Sequence, residues 1–251
     1  MFEVEEAMKS PTREFEGDVG KNLARIFCEN PDSVSRKLTN FPKYVRREDL
    51  RRFMALYEMF KLVLPVKGSV VECGVYRGFS LMTWAKLSSI LEPENSMRRV
   101  YGFDTFEGFP AVHDRDQSEF KAADVGELRS NSHEELLALI RESDTDRALG
   151  VVPKVELIRG DIVRTIPEFV ERHQHLVVSL LFLDCDLYEP TKVALEHLVP
   201  RMPKGAVLGF DELDKPIWPG ETAALLETKG IRGLRLRRLE WEPYVSYAVL
   251  E

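Results

Sequence analysis

The sequence predicts an α/β protein whose mostly parallel β-sheet has helices on both faces. After residue 68, short apolar runs alternate with longer segments of helical periodicity, which is the order of strands and helices in such a sheet. Most runs are continuous rather than alternating, as expected where both faces of a strand are covered. The C-terminal stretch from Leu234 instead has two extended segments joined at Glu242-Pro243, which predicts an antiparallel pair that closes the sheet.

The individual elements follow from the spacing of apolar residues. Spacings of three and four over residues 47–64 predict an amphipathic helix that ends before Pro65. Five parallel strands are predicted, at residues 69–73, 99–103, 155–159, 176–183 and 206–210. Three further helices are predicted, at residues 79–91, 190–199 and 221–229. Together with the C-terminal pair, the strands make a seven-stranded sheet.

Two regions lie outside this regular alternation. Residues 1–47 are charged and have no sustained period, so we expect an irregular or short-helical N-terminal extension ahead of a main domain over residues 48–251. Residues 106–129 are polar and irregular, and loops of this length are usually lids, binding loops or disordered segments. Because this loop follows the carboxyl end of a strand, we predict a lid insertion over about residues 106–146.

Composition argues against several classes of protein. The net charge of −7 disfavours general affinity for nucleic acid or anionic membranes. The acidic N-terminus lacks the pattern of a secretory signal, and the longest nearly apolar run, residues 176–183, is too short to span a membrane. Three cysteines, far apart and without metal-binding spacing, fit a reducing compartment. We therefore expect a cytoplasmic protein, and the apolar helix beside the N-terminal extension suggests a homo-oligomer.

Acidic residues mark the carboxyl end of every predicted parallel strand. They are Glu72, Asp104, Asp161, Asp184 with Asp186, and Asp211 with Glu212. Aspartate and glutamate together make up 42 of 251 residues, so five such placements do not arise readily by chance. Ligands of doubly wound sheets bind at this edge. The sequence therefore predicts a ligand site formed by these acids.

A glycine-punctuated turn, ECGVYRG, follows the first strand. On its own it suits NAD, FAD, S-adenosylmethionine or simple close packing, although the absence of G-x-G-x-x-G disfavours a dinucleotide. Glu72 suits a ligand that carries an ammonium and a sulfonium group. Asp104 is placed to accept hydrogen bonds from both hydroxyls of a ribose. Gly160-Asp161 fits either an acceptor for an adenine amino group or a turn-forming pair.

The acids after the fourth and fifth strands predict a metal. These four carboxylates would converge at neighbouring strand ends, where they repel one another unless a cation neutralises them. They are Asp184, Asp186, Asp211 and Glu212. Oxygen-only ligands, with no histidine or cysteine at ligand spacing, favour Mg²⁺ or a similar hard ion. The alternative is that some of these acids only cap helices or turn the chain.

Five segments together resemble one family. They are ECGVYRG, FDTFEGFP, GDIVRTIP, LLFLDCDLYEPTKVALEHLVPRMPKGAVLGFDE and a following PGE. This combination, over about residues 68–230, resembles the macrocin-type (TylF-like) sugar O-methyltransferases. The resemblance implies a class I methyltransferase (Rossmann-like) fold, S-adenosyl-L-methionine as methyl donor, and Mg²⁺. It also implies a small-molecule sugar substrate: a deoxysugar hydroxyl in antibiotic biosynthesis, on either a nucleotide-activated sugar or a finished glycoside.

The resemblance also carries roles onto positions of this chain. Asp184, Asp211 and Glu212 are the implied metal ligands, and Asp186 is the implied base, a role that Asp184 also fits. The implied cofactor-binding residues are Glu72, Gly74, Tyr76, Ser80, Asp104, Thr105, Phe106, Gly160, Asp161, Ile162 and Asp184. Two positions depart from the family pattern, because Cys185 replaces a glycine and Glu212 replaces an aspartate. The alternatives are a catechol-type O-methyltransferase acting on a small vicinal diol, an NAD-dependent oxidoreductase, and a non-enzymatic scaffold.

Overall fold

The structure is a computed structural model that describes residues 16–251. The chain divides into two compact units, Met1–Met54 and Ala55–Glu251. The predicted N-terminal extension falls in the first unit, and its first 15 residues lie outside the described residues. None of the helices in residues 16–251 combines the length and the apolar character that crossing a membrane requires.

The described part of the first unit is mostly helical. It contains α1 (Glu16–Glu29), α2 (Val34–Thr39), a 3₁₀ turn (Phe41–Lys43) and the first residues of α3 (Arg47–Val63). The side chain of Ser33 accepts a hydrogen bond from the amide of Arg36, which fixes the start of α2. Buried Lys37 donates to the carbonyl oxygen of Phe27 at 2.5 Å, and the Phe27 ring packs edge-on against Tyr44. These contacts hold the short segments of this unit together.

The second unit is built on a seven-stranded sheet. Its strands are β1 (Ser69–Cys73), β2 (Val100–Asp104), β3 (Val155–Arg159), β4 (Val178–Leu183), β5 (Val207–Phe210), β6 (Arg237–Leu239) and β7 (Glu242–Val249). The order across the sheet is β3-β2-β1-β4-β5-β7-β6; β1 to β5 are parallel, and β7 is antiparallel to β5 and β6. The predicted fold class is confirmed. Strand order reverses between β1 and β4, where sheets of this kind bind ligands.

Helices cover both faces of the sheet. They are α4 (Phe79–Leu91), α5 (His133–Thr145), α6 (Ile162–Arg172), α7 (Tyr188–Leu198) and α8 (Pro219–Thr228). Residues 56–63 of α3 and buried residues of α4 and α5 pack on one face, around Trp84 and Phe182. Residues of α6, α7 and α8 pack on the other face, around Phe169 and Phe210. Burial of both faces explains why the strands are continuous apolar runs.

Local details differ from the sequence-based predictions. The turn between β6 and β7 lies before Glu242, so Glu242 and Pro243 belong to β7 rather than to the turn. Pro243 is tolerated in this strand because pairing with β5 begins only at Ser246. Helices α5 and α6 were not predicted; α6 carries Pro167, a residue that usually argues against a helix interior, although its buried residues Ile162, Ile166 and Phe169 have helical spacing. Residues 133–145 of the predicted lid insertion are helical. The irregular part is residues 105–132, here called the 105–132 loop, which contains one 3₁₀ turn, Asp114–Asp116.

Candidate active site

A cavity of about 290 Å³ lies at the carboxyl ends of β1, β2 and β4, and the 105–132 loop forms part of its wall. Seven of the predicted cofactor-binding residues line it: Gly74, Tyr76, Asp104, Thr105, Asp161, Ile162 and Asp184. Asp186, the predicted base, lines it as well. Four predicted cofactor residues are not in its lining: Glu72, Ser80, Phe106 and Gly160. The topology thus brings residues from four separate parts of the chain to one cavity.

The glycines of the β1 turn allow two close approaches. Gly74 has φ +91°, and a Cβ there would lie 1.9 Å from the carbonyl oxygen of Asp184. Gly78 has φ +82° at the start of α4, and a Cβ there would lie 2.2 Å from a methyl carbon of Leu136. Close packing, one of the alternatives for this motif, therefore accounts for both glycines. Gly74 also lines the cavity, so its cofactor role stays a prediction.

Two of the lining acids also hold backbone in place. The Asp104 carboxylate accepts hydrogen bonds from the amides of Val75 (2.8 Å), Tyr76 (2.7 Å) and Phe106 (2.6 Å). It therefore ties the turn after β1 to the end of β2. Asp161 begins α6 by accepting from the amide of Val163 at 3.0 Å. A carboxylate has lone pairs beyond those used here, so these bonds leave capacity for a ligand in the cavity.

Glu72 lies under the turn rather than on the cavity wall. Its side chain is 1% exposed, and Oε2 accepts a hydrogen bond from the indole nitrogen of Trp84 at 2.7 Å. Ser80, in the first turn of α4, is also buried. The predicted contact of Glu72 with a cationic ligand stays a prediction, and the observed bond shows that the carboxylate also orders the core beneath the turn.

The acids that follow β4 and β5 lie together. One oxygen each from Asp184, Asp186 and Glu212 lies within 4.8 Å of the other two. Nζ of Lys215 lies 2.8 Å from Oε1 of Glu212 and 3.8 Å from Oδ2 of Asp211. Asp186, Asp211 and Glu212 are all buried. Two of the three predicted metal ligands therefore form one cluster with the predicted base, and the third, Asp211, shares Lys215 with Glu212.

Burial makes ionisation of this cluster costly. It raises the pKa of Asp186 well above the ordinary value, with the charges of Glu212 and Asp211 adding to the effect. Burial also raises the pKa of Glu212 to about 7, against the opposing charge of Lys215. Within residues 16–251, the buried Oε2 of Glu212 accepts no hydrogen bond. Crowded carboxylate oxygens are the ligands that Mg²⁺ prefers, so these residues fit the predicted metal.

Glu221 is a member of this region that the sequence analysis missed. It is fully buried at the start of α8, and its Oε1 accepts a hydrogen bond from the amide of Glu212 at 3.0 Å. Burial, followed by the charges of Glu212, Asp211 and Asp186, raises its pKa well above the ordinary value. Glu221 thus holds the backbone of a predicted metal ligand. The PGE segment, which contributed to the family resemblance, was the signal that pointed to it.

Both departures from the family pattern lie at this site. Cys185 lines the cavity between the two acids of D-C-D, and its Sγ lies 3.4 Å from Oγ1 of Thr191. Burial raises the pKa of its thiol well above the ordinary value, so it remains a neutral, compact group. Glu212, one carbon longer than aspartate, still brings an oxygen into the cluster with Asp184 and Asp186.

Asp116 was also missed. It lines the cavity and is buried, although the 105–132 loop around it is polar. No local pattern separates it from Asp114, two residues earlier, which is exposed. The carboxylate of Asp116 accepts hydrogen bonds from the amides of His113 and Tyr188, and these contacts distinguish the two.

Comparison with known proteins identifies a family and solved structures that this chain resembles. The sequence profile of the macrocin-O-methyltransferase (TylF) family matches residues 47–234. A crystal structure of CalS11, calicheamicin methyltransferase, is 31% identical, with a TM-score of 0.89 over 95% of this chain and 93% of that one. An apo structure of CalS11, a TDP-rhamnose 3'-O-methyltransferase of calicheamicin biosynthesis, is 30% identical, with a TM-score of 0.83 over 95% of both chains.

A curated relative from Streptomyces olivaceus gives a partial match. It is the 8-demethyl-8-(2,3-dimethoxy-alpha-L-rhamnosyl)-tetracenomycin-C 4'-O-methyltransferase, 31% identical over 151 residues, which are 59% of this chain. The chain spans about half, 53%, of the length of that relative.

The sheet order, the cavity at its switch point and the structural matches define the class of protein, an α/β methyltransferase fold. The chain belongs to the macrocin-O-methyltransferase (TylF) family. The resemblance that its motifs predicted is therefore confirmed.

Proposed function

We propose that this protein transfers a methyl group from S-adenosylmethionine to a hydroxyl of a deoxysugar, with Mg²⁺ as a second cofactor. The observation that carries this proposal is that the predicted cofactor site and the acid cluster share one cavity. One cavity is lined both by predicted cofactor residues and by Asp184 and Asp186, which belong to the acid cluster. A donor held at the β1 turn would therefore lie beside the predicted metal and base.

The relatives support a deoxysugar acceptor. CalS11 is described as acting on TDP-rhamnose, and the tetracenomycin enzyme methylates a compound with a rhamnosyl group. Rhamnose is a 6-deoxysugar in both. The acceptor of this chain is then either a nucleotide-activated sugar or a natural-product glycoside, and the experiment below includes both.

The chain's own residues supply position and proton transfer. S-adenosylmethionine, when bound, supplies a methyl group on a positively charged sulfur, and displacement at that carbon requires the acceptor oxygen in line with the breaking bond. The Gly74 turn, fixed by Asp104, forms one wall of the cavity, and the start of α6 forms another. The 105–132 loop lines the same space.

The acid cluster supplies the proton acceptor and the metal ligands. Asp184, Asp211 and Glu212 would hold Mg²⁺, which supplies Lewis-acid stabilisation of the negative charge that develops on the acceptor oxygen. Asp186, which lines the cavity beside the predicted metal ligands, takes the proton of the hydroxyl. Asp184 is the alternative base, because it lines the same cavity.

Turnover with defined acceptors tests the proposal. S-adenosylmethionine is incubated with TDP-deoxysugars, with deoxysugar glycosides and with a catechol, each with and without EDTA. We expect methylation of a deoxysugar, lost with EDTA and restored by Mg²⁺. We also expect Asp211→Asn to abolish turnover while the protein is still stabilised by S-adenosylmethionine. Methylation of catechol alone would favour the catechol-type alternative, and stabilisation by NAD instead would favour an oxidoreductase.

A further inference from the structure

One carboxylate of the 105–132 loop is bound by backbone from outside the loop. Asp116 is 2% exposed, and its Oδ1 accepts a hydrogen bond from the amide of Tyr188, the first residue of α7, at 2.6 Å. Its Oδ2 accepts from the amide of His113, within the loop, at 2.8 Å. Both oxygens therefore have backbone donors, one within the loop and one at the start of α7. Asp114, in the same 3₁₀ turn, is exposed and makes no such long-range bond in the described structure.

Gly220 packs directly against this carboxylate, in a space that here is called the socket of Asp116. A Cβ at Gly220 would lie 2.1 Å from Oδ1 of Asp116 and 2.6 Å from the amide nitrogen of Tyr188. Gly220 lies in the first turn of α8, where alanine normally stabilises a helix relative to glycine. Its backbone does not require a positive φ, so the need for glycine here arises from the space taken by Asp116 and by the backbone of Leu187 and Tyr188.

Asp116 contacts the segment after β4, which carries Asp184 and Asp186, and the start of α8, which carries Glu221. Tyr188 follows Asp186 by two residues, and Asp186 has a φ of +62°, a conformation that costs free energy for a residue with a side chain. Gly220 precedes Glu221, whose carboxylate holds the amide of Glu212. A single side chain of the loop therefore touches both acid-bearing segments.

Apolar contacts join the same three segments. Phe109 and Ala123 of the loop form a buried cluster with Leu187 and Trp218. The ring of Phe109 packs edge-on against Trp218, with ring centres 5.7 Å apart. Leu187 lies next to Tyr188, and Trp218 lies two residues before Gly220. The loop is thus seated on both segments by a buried hydrogen-bonded carboxylate and by an apolar cluster.

We propose that Asp116, packed against Gly220, is a positioning residue that fastens the 105–132 loop to the segment carrying Asp186 and to the start of α8, whose Glu221 holds the backbone of Glu212. Seating of the loop and placement of the acids are then one event, because the same bonds serve both. The catalytic part of this inference rests on the proposed function. Its structural part, the coupling of the loop to the acid cluster, does not.

Two variants disrupt the contact of Asp116 with Tyr188 and Gly220 in different ways. Asp116→Asn keeps the shape but replaces one acceptor by an N–H donor that faces a backbone amide. Gly220→Ala places a methyl group in the socket and leaves Asp116 unchanged. The matched controls are Asp114→Asn, in the same turn, and Gly20→Ala, in α1, where the nearest atom to a new Cβ is 3.9 Å away.

The first readout is limited trypsin digestion of the ligand-free protein, followed at Arg115 and Lys121 of the loop. We expect cleavage there to accelerate about tenfold in Asp116→Asn and Gly220→Ala, and not in the controls, because local opening of the loop becomes easier. The second readout is Mg²⁺ affinity by calorimetry. We expect it to fall about 10- to 100-fold, as when other groups that orient metal ligands are lost.

Wild-type loop cleavage and wild-type Mg²⁺ affinity in Asp116→Asn would overturn the proposal, even if that variant were less stable. If Gly220→Ala does not fold, Asp116→Asn decides alone. Neither readout needs an acceptor. If the unmodified protein methylates no sugar, the proposed function fails while the coupling of loop and cluster is still measured.

Discussion

Gly74 and Asp184 meet through their backbones, since a Cβ on Gly74 would lie 1.9 Å from the carbonyl oxygen of Asp184. The contact follows from the parallel pairing of β1 with β4, which ends with Cys73 opposite Leu183. The amide of Asp184 also donates to the carbonyl oxygen of Cys73 at 2.8 Å. The turn that would hold the methyl donor is therefore fixed against the first acid of the D-C-D segment.

This contact predicts that Gly74→Ala is strongly destabilising. The new methyl group would meet backbone, which cannot move aside as a side chain can, and alanine at φ +91° is strained. We expect the free energy of unfolding to fall by about 2–5 kcal/mol in urea denaturation. We also expect binding of S-adenosylmethionine to be lost, because the displaced turn lines the cavity.

Gly230→Ala is the control for backbone strain alone. Gly230 has φ +65°, but a Cβ there would meet nothing within 4 Å. We expect a loss of about 1–2 kcal/mol from the left-handed conformation. Equal losses at the two positions would show that close approach to Asp184 contributes nothing.

Asp186→Asn tests the proposed base. Asparagine has a similar volume and cannot accept the hydroxyl proton. We expect kcat to fall by about 10²–10⁴-fold, with the dissociation constant of S-adenosylmethionine unchanged. Kinetic assays measure the rate, and calorimetry measures the dissociation constant of S-adenosylmethionine. A near-normal kcat would assign the role of base to Asp184, and Asp184→Asn would then show the fall in kcat.

The raised pKa of Glu212 predicts a pH dependence of stability without metal. The carboxyl ionises near pH 4.5 in the unfolded chain but only near 7 in the folded protein. Unfolding therefore releases a proton across this window, and stability falls as pH rises through it. The contribution of this one group is about 2 kcal/mol between pH 5 and pH 7.

Urea denaturation in EDTA at both pH values measures this effect. Glu212→Gln should lose correspondingly less stability over the same interval. Excess Mg²⁺ at pH 7 should restore stability to the unmodified protein, because the ion binds the folded state. Parallel pH profiles for protein and variant would rule out the assigned cause.

The bond between Trp84 and Glu72 predicts a stabilising role under the β1 turn. Trp84→Phe keeps an aromatic ring but removes the donor to a buried carboxylate. We expect a loss of about 2–3 kcal/mol in the free energy of unfolding. Trp241→Phe, at a position 42% exposed, is the matched control, with an expected loss of at most about 0.5 kcal/mol. Similar losses in both variants would contradict a specific role for the bond.

Much of the fold could be predicted from the sequence, because strands covered on both faces must be apolar along their whole length. The predicted strand at residues 155–159 and helix at residues 79–91 match β3 and α4. Topology then places the strand-end acids at one edge, so the region of the site was predictable too. Helix α6 was not predicted, because Pro167 usually argues against a helix interior, although Ile162, Ile166 and Phe169 keep the helical spacing of three and four.

The sequence alone therefore determined the family, the fold class and the acids that end the parallel strands, because these depend on local pattern and strand order. Only the tertiary structure decided which polar groups are buried and what binds them. Asp114 and Asp116 are equivalent in local sequence, yet one faces solvent and the other is bound by the amide of Tyr188, 72 residues away. Such contacts depend on how distant segments meet, and no short stretch of sequence contains that information.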